Sequence, residues 1–202
     1  MTKAYNPLDM ENLGHSVENA LLASTPTRMD QMQRFTGAGV YAIYYTGDES
    51  PYESLGKVNQ NDAFEIPIYV GKAVPSGARR GVAVSTGGTP LFSRLNQHAN
   101  SLSAATNLDI EDFYARWLVT EPIWIPLGES ILIGRFAPVW NSIVDGFGNH
   151  DPGAGRRAGM VSRWDVLHPG RAWAVNFQQR NEARADIEAD VHQYLAARIA
   201  LP

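Results

Sequence analysis

The stretches GVYAIYY at residues 39–45 and IPIYVG at residues 66–71 decide the fold of this 202-residue chain. Both are short apolar runs rich in β-branched and aromatic side chains, a composition typical of buried strands. Pro67 lies near the start of the second run, where a sheet tolerates proline. Together with FYARWLV at residues 113–119, these runs predict three strands, over 40–45, 66–70 and 113–119.

Helical patterns surround the strands, with apolar residues at 3.6-residue spacing and capping residues at the starts. Helices are expected at residues 9–23, 27–35, 90–105, 126–137 and 178–200. This element order predicts the α+β class. The expected architecture is a small three-stranded antiparallel sheet flanked by helices, with helical additions at the N and C termini.

The domain organisation is expected to be one compact unit with three parts. Residues 1–36 form an N-terminal helical extension. Residues 37–142 form the core, in which segments 46–65 and 73–89 are inserted loops. Residues 143–202 combine an irregular arm, rich in glycine, proline and arginine, with the C-terminal helix.

Composition excludes several kinds of site. The absence of cysteine rules out disulfides, thiolate metal sites and a cysteine nucleophile. The sequence also lacks the GxxxxGK[ST] phosphate loop, the HExxH zinc pair and the GxSxG nucleophile turn. No apolar run approaches the roughly 18 residues of a membrane helix, and the N terminus lacks the apolar stretch of a signal peptide. We therefore expect no membrane contact and a cytoplasmic location.

Charge is unevenly distributed along this chain of net charge −4. The stretch from residue 72 to residue 94 contains four bases and no acid. A second arginine-rich stretch lies between residues 151 and 171. Such segregation favours a local positive surface on an acidic protein, although scattered solvated charge is the alternative.

The two strand tyrosines, Tyr41 and Tyr69, are the first candidates for chemistry. If their strands pair, both hydroxyls can lie on one face of the sheet near a shared point. The alternative for each is a packing tyrosine with a solvated hydroxyl. Lys72, which follows the second tyrosine closely, either adds positive charge at that point or is an ordinary loop lysine.

A predicted helix carries Arg94 and His98 four residues apart, on the same face. A guanidinium suits a phosphate because it donates two parallel hydrogen bonds. The alternative is a solvated arginine beside a half-buried histidine. Glu129, on an otherwise apolar helix, either favours the helix dipole or holds a divalent cation.

Taken as an ordered set, these residues resemble the GIY-YIG nuclease superfamily. Its first motif is Gly39-Val40-Tyr41 and its second is Tyr69-Val70-Gly71. The family's helical arginine matches Arg94, its metal-binding glutamate matches Glu129, and the asparagine after a proline matches Asn141. The resemblance covers about residues 37–142.

Position 98 and the flanking segments are similar to one branch of that superfamily. His98 replaces what is often a tyrosine, and segments 149–153 and 164–170 resemble the Type II restriction endonucleases that recognise CCGCGG. One departure from the superfamily pattern is the long spacing between Tyr41 and Tyr69.

The resemblance implies hydrolysis of a DNA phosphodiester with one divalent metal ion, Mg²⁺ or Mn²⁺, and no covalent intermediate. Glu129 would be the metal ligand, and Arg94 would stabilise the charge that develops on phosphorus. Tyr41 would take a proton from the attacking water, and either Tyr41 or His98 would be the final acceptor. Supporting roles fall to Tyr69, Lys72 and Asn141.

The expected partner is double-stranded DNA, bound by a homodimer because the target is a palindrome. Arginines suit a GC-rich target, since guanine offers two acceptors in the major groove. The candidate DNA-binding residues are Arg79, Arg80, Arg156, Arg157, Arg163 and Arg171.

Two other functions remain open at the level of sequence. The chain is alternatively a repair or homing nuclease of the same superfamily that nicks one strand. It is otherwise a DNA-binding module without catalysis, or a structural α+β protein whose motif residues match by accident. The presence of all six residues of the ordered set favours catalysis.

Overall fold

The computed structural model describes residue 6 and residues 9–75, 88–151 and 159–199. Within these residues the strands are β1 (Thr27–Arg28), β2 (Gly39–Tyr45), β3 (Tyr69–Ala73) and β4 (Phe113–Val119). The α-helices there are α1 (Met10–Leu22), α2 (Glu53–Asn59), α3 (Pro90–Ala104), α4 (Ile125–Phe136), α5 (Val139–Ser142), α6 (Arg163–Leu167) and α7 (Arg184–Ile199).

The described strands form one antiparallel sheet in the order β1-β4-β2-β3. The antiparallel sheet flanked by helices is confirmed, but the prediction of three strands is wrong, because the sheet has four among the described residues. The additional strand, β1, pairs Thr27 with Ala115 and Arg28 with Tyr114. A helix was expected at residues 27–35, but only a 3₁₀ turn forms, at Met29–Gln31. A two-residue strand is too short to show any periodicity, so only its neighbour β4 reveals it.

Strand β2 is buried along its whole length because helices cover both faces of the sheet. Tyr41 and Ile43 point into a core formed with α2, α3, α5, α6 and α7. Val40 and Ala42 point into a second core formed with α1 and α4. This two-sided burial explains why GVYAIYY is continuously apolar rather than alternating.

The segment between β2 and β3 was predicted as an inserted loop, but it contains α2. Leu55 and Tyr52 lie fully buried in the first core. The buried Asn59 side chain donates to the backbone oxygens of Tyr45 and Ile66 and accepts from the Ile66 N–H. This side chain therefore ties the end of β2 to the approach of β3, and a long connection still closes an antiparallel pair.

The predicted second strand at residues 66–70 is displaced towards the C terminus, since β3 covers Tyr69–Ala73. Most of the predicted loop at 73–89 lies outside the described residues. The arm expected to be irregular contains the short helix α6, and the C-terminal helix begins at Arg184 rather than at residue 178. Within the described ranges, no helix is both long and apolar enough to cross a membrane.

Candidate active site

The register of β2 and β3 places the two motif tyrosines on one face of the sheet. Tyr41 lies opposite Gly71, and Tyr69 lies opposite Ile43. The Tyr41 and Tyr69 ring centroids are 6.2 Å apart. A Cβ atom at position 71 would collide with the Tyr41 hydroxyl, so the Tyr41 ring occupies the space that glycine leaves. Position 71 is therefore glycine for a steric reason, because a side chain there would occupy the space of the Tyr41 ring.

Gly39, the glycine of the first motif, is required because the backbone of β4 lies very close to the backbone of β2 at this position. A Cβ atom at Gly39 would collide with the carbonyl oxygen of Leu118 on the neighbouring strand β4. The register pairs Gly39 with Val119 of β4 and with Ala73 of β3. Gly39 thus allows β2 to lie close between two strands and holds Tyr41 at its position.

Helix α3 brings His98 to the Tyr41 hydroxyl. Tyr41 Oη and His98 Nε2 are 2.6 Å apart. The imidazole also stacks on Phe147, with ring centroids 4.5 Å apart. Burial lowers the pKa of His98 well below its usual value, and the charge of Arg94 lowers it further. When the neutral ring carries its proton on Nδ1, Nε2 accepts a hydrogen bond from the Tyr41 hydroxyl.

Tyr41 is also neutral in the DNA-free protein. Burial raises its pKa, the neighbouring Tyr69 adds to the rise, and the charge of Arg94 opposes it. Tyr41 has no exposed surface, whereas Tyr69 is half-buried. Tyr69 is therefore the more accessible of the two tyrosines.

The guanidinium of Arg94 lies at the mouth of this tyrosine–histidine cluster. Its Nη2 donates to the Gly148 carbonyl at 2.7 Å, and its Nη1 lies 2.5 Å from Nε2 of His150. Nη1 also donates to Gln97 at 3.3 Å. The charge of Arg94 favours the phenolate form of Tyr69, where it opposes the larger effect of burial on the pKa. Arg94 is thus a cation beside both phenols.

Glu129 approaches the same site from the other side of β3. Its Oε2 lies 2.6 Å from Nζ of Lys72, and its side chain is 22% exposed. The Glu129 charge contributes to the raised pKa values of both Tyr41 and Tyr69, so the carboxylate is within electrostatic range of the phenols. Helix α4 has no acid in its first turn, which removes the helix dipole as the reason for Glu129.

The site offers one carboxylate, that of Glu129, to a divalent cation. Among the described residues, no group of three or more histidine, aspartate or glutamate side chains forms a metal cluster. Mg²⁺ commonly binds one or two carboxylates and fills its other positions with water and substrate phosphate. Glu129 is such a carboxylate, and the ammonium of Lys72 already occupies the position where a cation is favoured.

Asn141 supports the second motif through the backbone. Its Nδ2 donates to the Val70 carbonyl at 2.9 Å, and its Oδ1 accepts from the Val70 N–H at 2.8 Å. Val70 lies between Tyr69 and Gly71, so this amide clamp fixes β3 beside the tyrosines. Asn141 therefore holds the strand segment that carries Tyr69.

The loop after α5 supplies side chains that sequence reasoning did not assign to the site. It contributes Phe147 against His98, the Gly148 carbonyl to Arg94, and the imidazole of His150. A Cβ atom at Gly148 would lie 2.7 Å from the Tyr69 hydroxyl oxygen. No periodic pattern marks these residues. The glycines at positions 146 and 148 are the one feature of the local sequence which indicates that this loop packs closely against other side chains.

Arg171, predicted to contact DNA, is instead buried beneath this loop. Its guanidinium makes two hydrogen bonds of 2.7 Å to Asp165 and donates to the carbonyls of Gly146 and Phe147. Trp164 and Trp173 lie 4.4 Å and 4.5 Å from it in cation–π contacts. Burial and these partners favour a structural role over a DNA contact: Arg171 holds the loop that carries Phe147.

Of the other predicted DNA-binding arginines, Arg163 is the one that lies among the described residues. Arg163 pairs with Glu182 and Asp190 and donates to the Ile143 carbonyl, so its donors are used within the protein. The remaining four, Arg79, Arg80, Arg156 and Arg157, lie outside the described residues.

Comparison with known proteins points to one family. The family model described as the Eco29kI GIY-YIG domain matches residues 33–195, which is most of the chain. No curated protein matches the chain. The matched residues include both tyrosine motifs, Arg94, His98, Glu129 and Asn141.

Proposed function

The chain belongs to the Eco29kI GIY-YIG family, a family of Type II restriction endonucleases, and from that premise we propose how it cuts DNA. Its substrate is double-stranded DNA carrying a short GC-rich palindrome, CCGCGG. The observation that carries the proposal is the convergence at one point of Tyr41, His98 and Arg94, with Glu129 within electrostatic range.

Proton transfer uses the 2.6 Å contact between Tyr41 and His98. As water attacks phosphorus, its proton passes to Tyr41 Oη, and the proton of Tyr41 passes to His98 Nε2. His98 becomes imidazolium, the P–O bond to the leaving oxygen breaks, and the leaving oxygen takes a proton from solvent water. Burial is the largest cause of the lowered pKa of His98, and the charge of Arg94 lowers it further. A bound phosphate would neutralise part of that charge, so substrate binding makes His98 a better acceptor.

Charge stabilisation is the task of Arg94. Its guanidinium is held in place before substrate binds, so it need not reorganise when negative charge develops on the phosphoryl oxygens. Lys72 adds a second positive charge at the edge of the site. Tyr69, the half-buried phenol, orients the water or the phosphate, and Asn141 holds the strand that carries Tyr69.

Glu129 would hold the divalent cation, Mg²⁺ or Mn²⁺. When bound, such an ion supplies Lewis-acid stabilisation of charge on phosphate oxygens. The half-buried carboxylate, already facing one cation, supports this assignment.

We propose that the protein acts as a two-fold homodimer in which each subunit cuts one strand, because a palindromic target has the same two-fold symmetry. Sequence recognition would draw on arginines that contact guanine edges. Arg79, Arg80, Arg156 and Arg157 remain the candidates, because Arg171 and Arg163 have partners within the protein. We propose a cytoplasmic location, where a restriction enzyme would meet invading DNA.

The proposed function is tested by incubating the protein with plasmid DNA that carries one CCGCGG site, with and without Mg²⁺. We expect linear DNA in the presence of the metal and intact plasmid after chelation. Glu129→Gln and Arg94→Ala should each lower cleavage by orders of magnitude while the proteins still bind DNA in gel shifts. Nicked circles as the only product would instead support a nicking nuclease. DNA binding without cutting would support a module without catalysis.

A further inference from the structure

His150 is an exposed histidine that the catalytic scheme above does not use, yet its ring contacts the catalytic arginine. Nε2 of His150 lies 2.5 Å from Nη1 of Arg94, and Nδ1 lies 3.2 Å from the same atom. The two residues are 56 positions apart in the chain. An exposed side chain contributes little to the core, so its contact with Arg94 points to a role at the site.

The chemistry of the contact defines the state of the ring. A guanidinium has five donors and no acceptor, so the imidazole nitrogen that faces Nη1 must carry a lone pair. Partial burial lowers the pKa of His150, and the charges of Arg94 and Arg171 lower it further. A neutral ring with its proton on Nδ1 therefore accepts the hydrogen bond from Arg94 at Nε2.

The contacts of Arg94 divide its guanidinium into two edges. Nη1 is used by His150 and Gln97, and one hydrogen of Nη2 is used by the Gly148 carbonyl. A Cβ atom built on Gly148 would lie 2.7 Å from the Tyr69 hydroxyl oxygen and 3.2 Å from Nη2 of Arg94, so Nη2 is the guanidinium nitrogen near this phenol. His150 contacts the other terminal nitrogen, Nη1, at the outer edge of the guanidinium.

The loop that carries His150 is itself held rigidly. Arg171 donates to the carbonyls of Gly146, Phe147 and Asn149, at 3.0, 3.2 and 3.4 Å. Asp165 holds the Arg171 guanidinium through two hydrogen bonds of 2.7 Å. A fixed loop gives the imidazole a defined position, which a freely moving surface loop would not.

We propose that His150 is a positioning residue for Arg94: it accepts from the outer edge of the guanidinium and thereby presents the inner edge to the scissile phosphate. The inference rests on the proposed nuclease function. An arginine side chain has many rotamers, and holding one of them in advance removes an ordering cost from the transition state. The expected consequence is an effect on the cleavage rate rather than on DNA affinity.

The test measures single-turnover cleavage and DNA affinity for His150→Ala and His150→Gln, on a duplex that the wild-type protein cuts. Affinity is measured by fluorescence anisotropy without divalent metal. We expect His150→Ala to lower the cleavage rate by about tenfold to a hundredfold, with affinity within about threefold of wild type. His150→Gln should recover most of the rate, because its amide oxygen also accepts from Nη1. His192→Ala, which removes an exposed histidine on α7, is the matched control and should change neither quantity.

A double-mutant cycle separates positioning from a general structural effect. If His150 acts through Arg94, then adding His150→Ala to Arg94→Ala should slow cleavage no further. Additive losses would overturn the proposal, as would wild-type cleavage by His150→Ala. A loss of affinity at an unchanged rate would overturn it in favour of a direct DNA contact. Failure of the wild-type protein to cut any DNA with metal would instead refute the proposed function itself.

Discussion

The Tyr41 hydroxyl oxygen lies 2.6 Å from Nε2 of His98, although 57 positions separate the two residues in the chain. Both side chains are buried, and burial keeps each of them neutral by shifting its pKa away from the charged form. A neutral donor and a neutral acceptor at this distance form a path by which one proton can leave the site. This contact is the basis of the proposed proton transfer.

Replacing Tyr41 with phenylalanine removes that path but keeps the ring that packs over Gly71. We expect Tyr41→Phe to lower single-turnover cleavage by about 10²- to 10⁴-fold, the usual range for a general base. Unfolding free energy should fall by only about 1 kcal/mol, since one buried hydrogen bond is lost. Tyr44→Phe, on the same strand but the opposite face, is the control and should cut normally. Equal activity of Tyr41→Phe and wild type would exclude Tyr41 as the base.

The metal proposed to bind Glu129 would have to displace Lys72, because the Lys72 ammonium lies 2.6 Å from the carboxylate. We expect Lys72→Met to tighten Mg²⁺ binding up to about fivefold, since partly exposed ion pairs contribute about 0.2–1 kcal/mol. Cleavage should nevertheless slow, because a positive charge near the phosphate is lost. Calorimetric titration with Mg²⁺ measures the first effect. Lys57→Met, which breaks the similar but remote pair with Glu53, should leave Mg²⁺ affinity unchanged. Weaker Mg²⁺ binding by Lys72→Met would contradict the competition.

Gly71 must remain glycine because the Tyr41 hydroxyl lies where a side chain would begin. Gly71→Ala should push the Tyr41 ring away from His98 and abolish most cleavage, and overpacking typically costs about 1–3 kcal/mol of stability. Gly134→Ala is a matched control on α4, because a Cβ atom there meets nothing within 4 Å. That substitution should stabilise the helix by about 0.5–1 kcal/mol, seen as a higher melting temperature, with normal activity. Full activity of Gly71→Ala would mean that the tyrosine position is not critical.

Arg171 is expected to contribute to stability rather than to DNA affinity. Arg171→Met leaves Asp165 buried without its partner, which typically costs about 3–5 kcal/mol. Urea denaturation measures this loss. The double variant with Asp165→Asn should recover part of it, because no charge is then left unpaired. DNA affinity of the folded double variant should stay close to that of wild type. A large loss of affinity there would restore Arg171 to the set of DNA contacts.

His168 should make the folded protein sensitive to acid. Burial lowers its pKa to about 3, whereas an unfolded histidine titrates near pH 6.5. Between these values the unfolded state binds the extra proton, so stability falls as pH falls below about 6.5. By pH 5 this one group should have cost about 2 kcal/mol. His168→Gln, which can still accept from Tyr52, should show a smaller decrease in melting temperature between pH 7 and pH 5. An identical decrease in both proteins would assign the acid sensitivity to other groups.

Local sequence patterns predicted the interior strands and the long helices well. The strand at 113–119 was predicted with its observed bounds, and the helix predicted at 90–105 is confirmed as Pro90–Ala104. These elements have a strong apolar pattern or a clear capping residue, which depend only on neighbouring residues. The helix at Glu53–Asn59 was not predicted, because the segment is mostly polar and follows a proline. Its one buried face is too short to give a clear helical pattern of apolar residues.

The sequence by itself determined which chemical groups this protein carries and the order in which they occur: two strand tyrosines, an arginine and histidine one helical turn apart, a lone glutamate and a late asparagine. Only the tertiary structure decided that Tyr41 contacts His98, that Lys72 contacts Glu129, and that Arg171 turns inward beneath the loop of His150. The physical reason is that periodicity and capping act over a few residues. Contacts between residues as far apart as Tyr41 and His98, 57 positions, depend on strand register and helix packing, which no local pattern specifies.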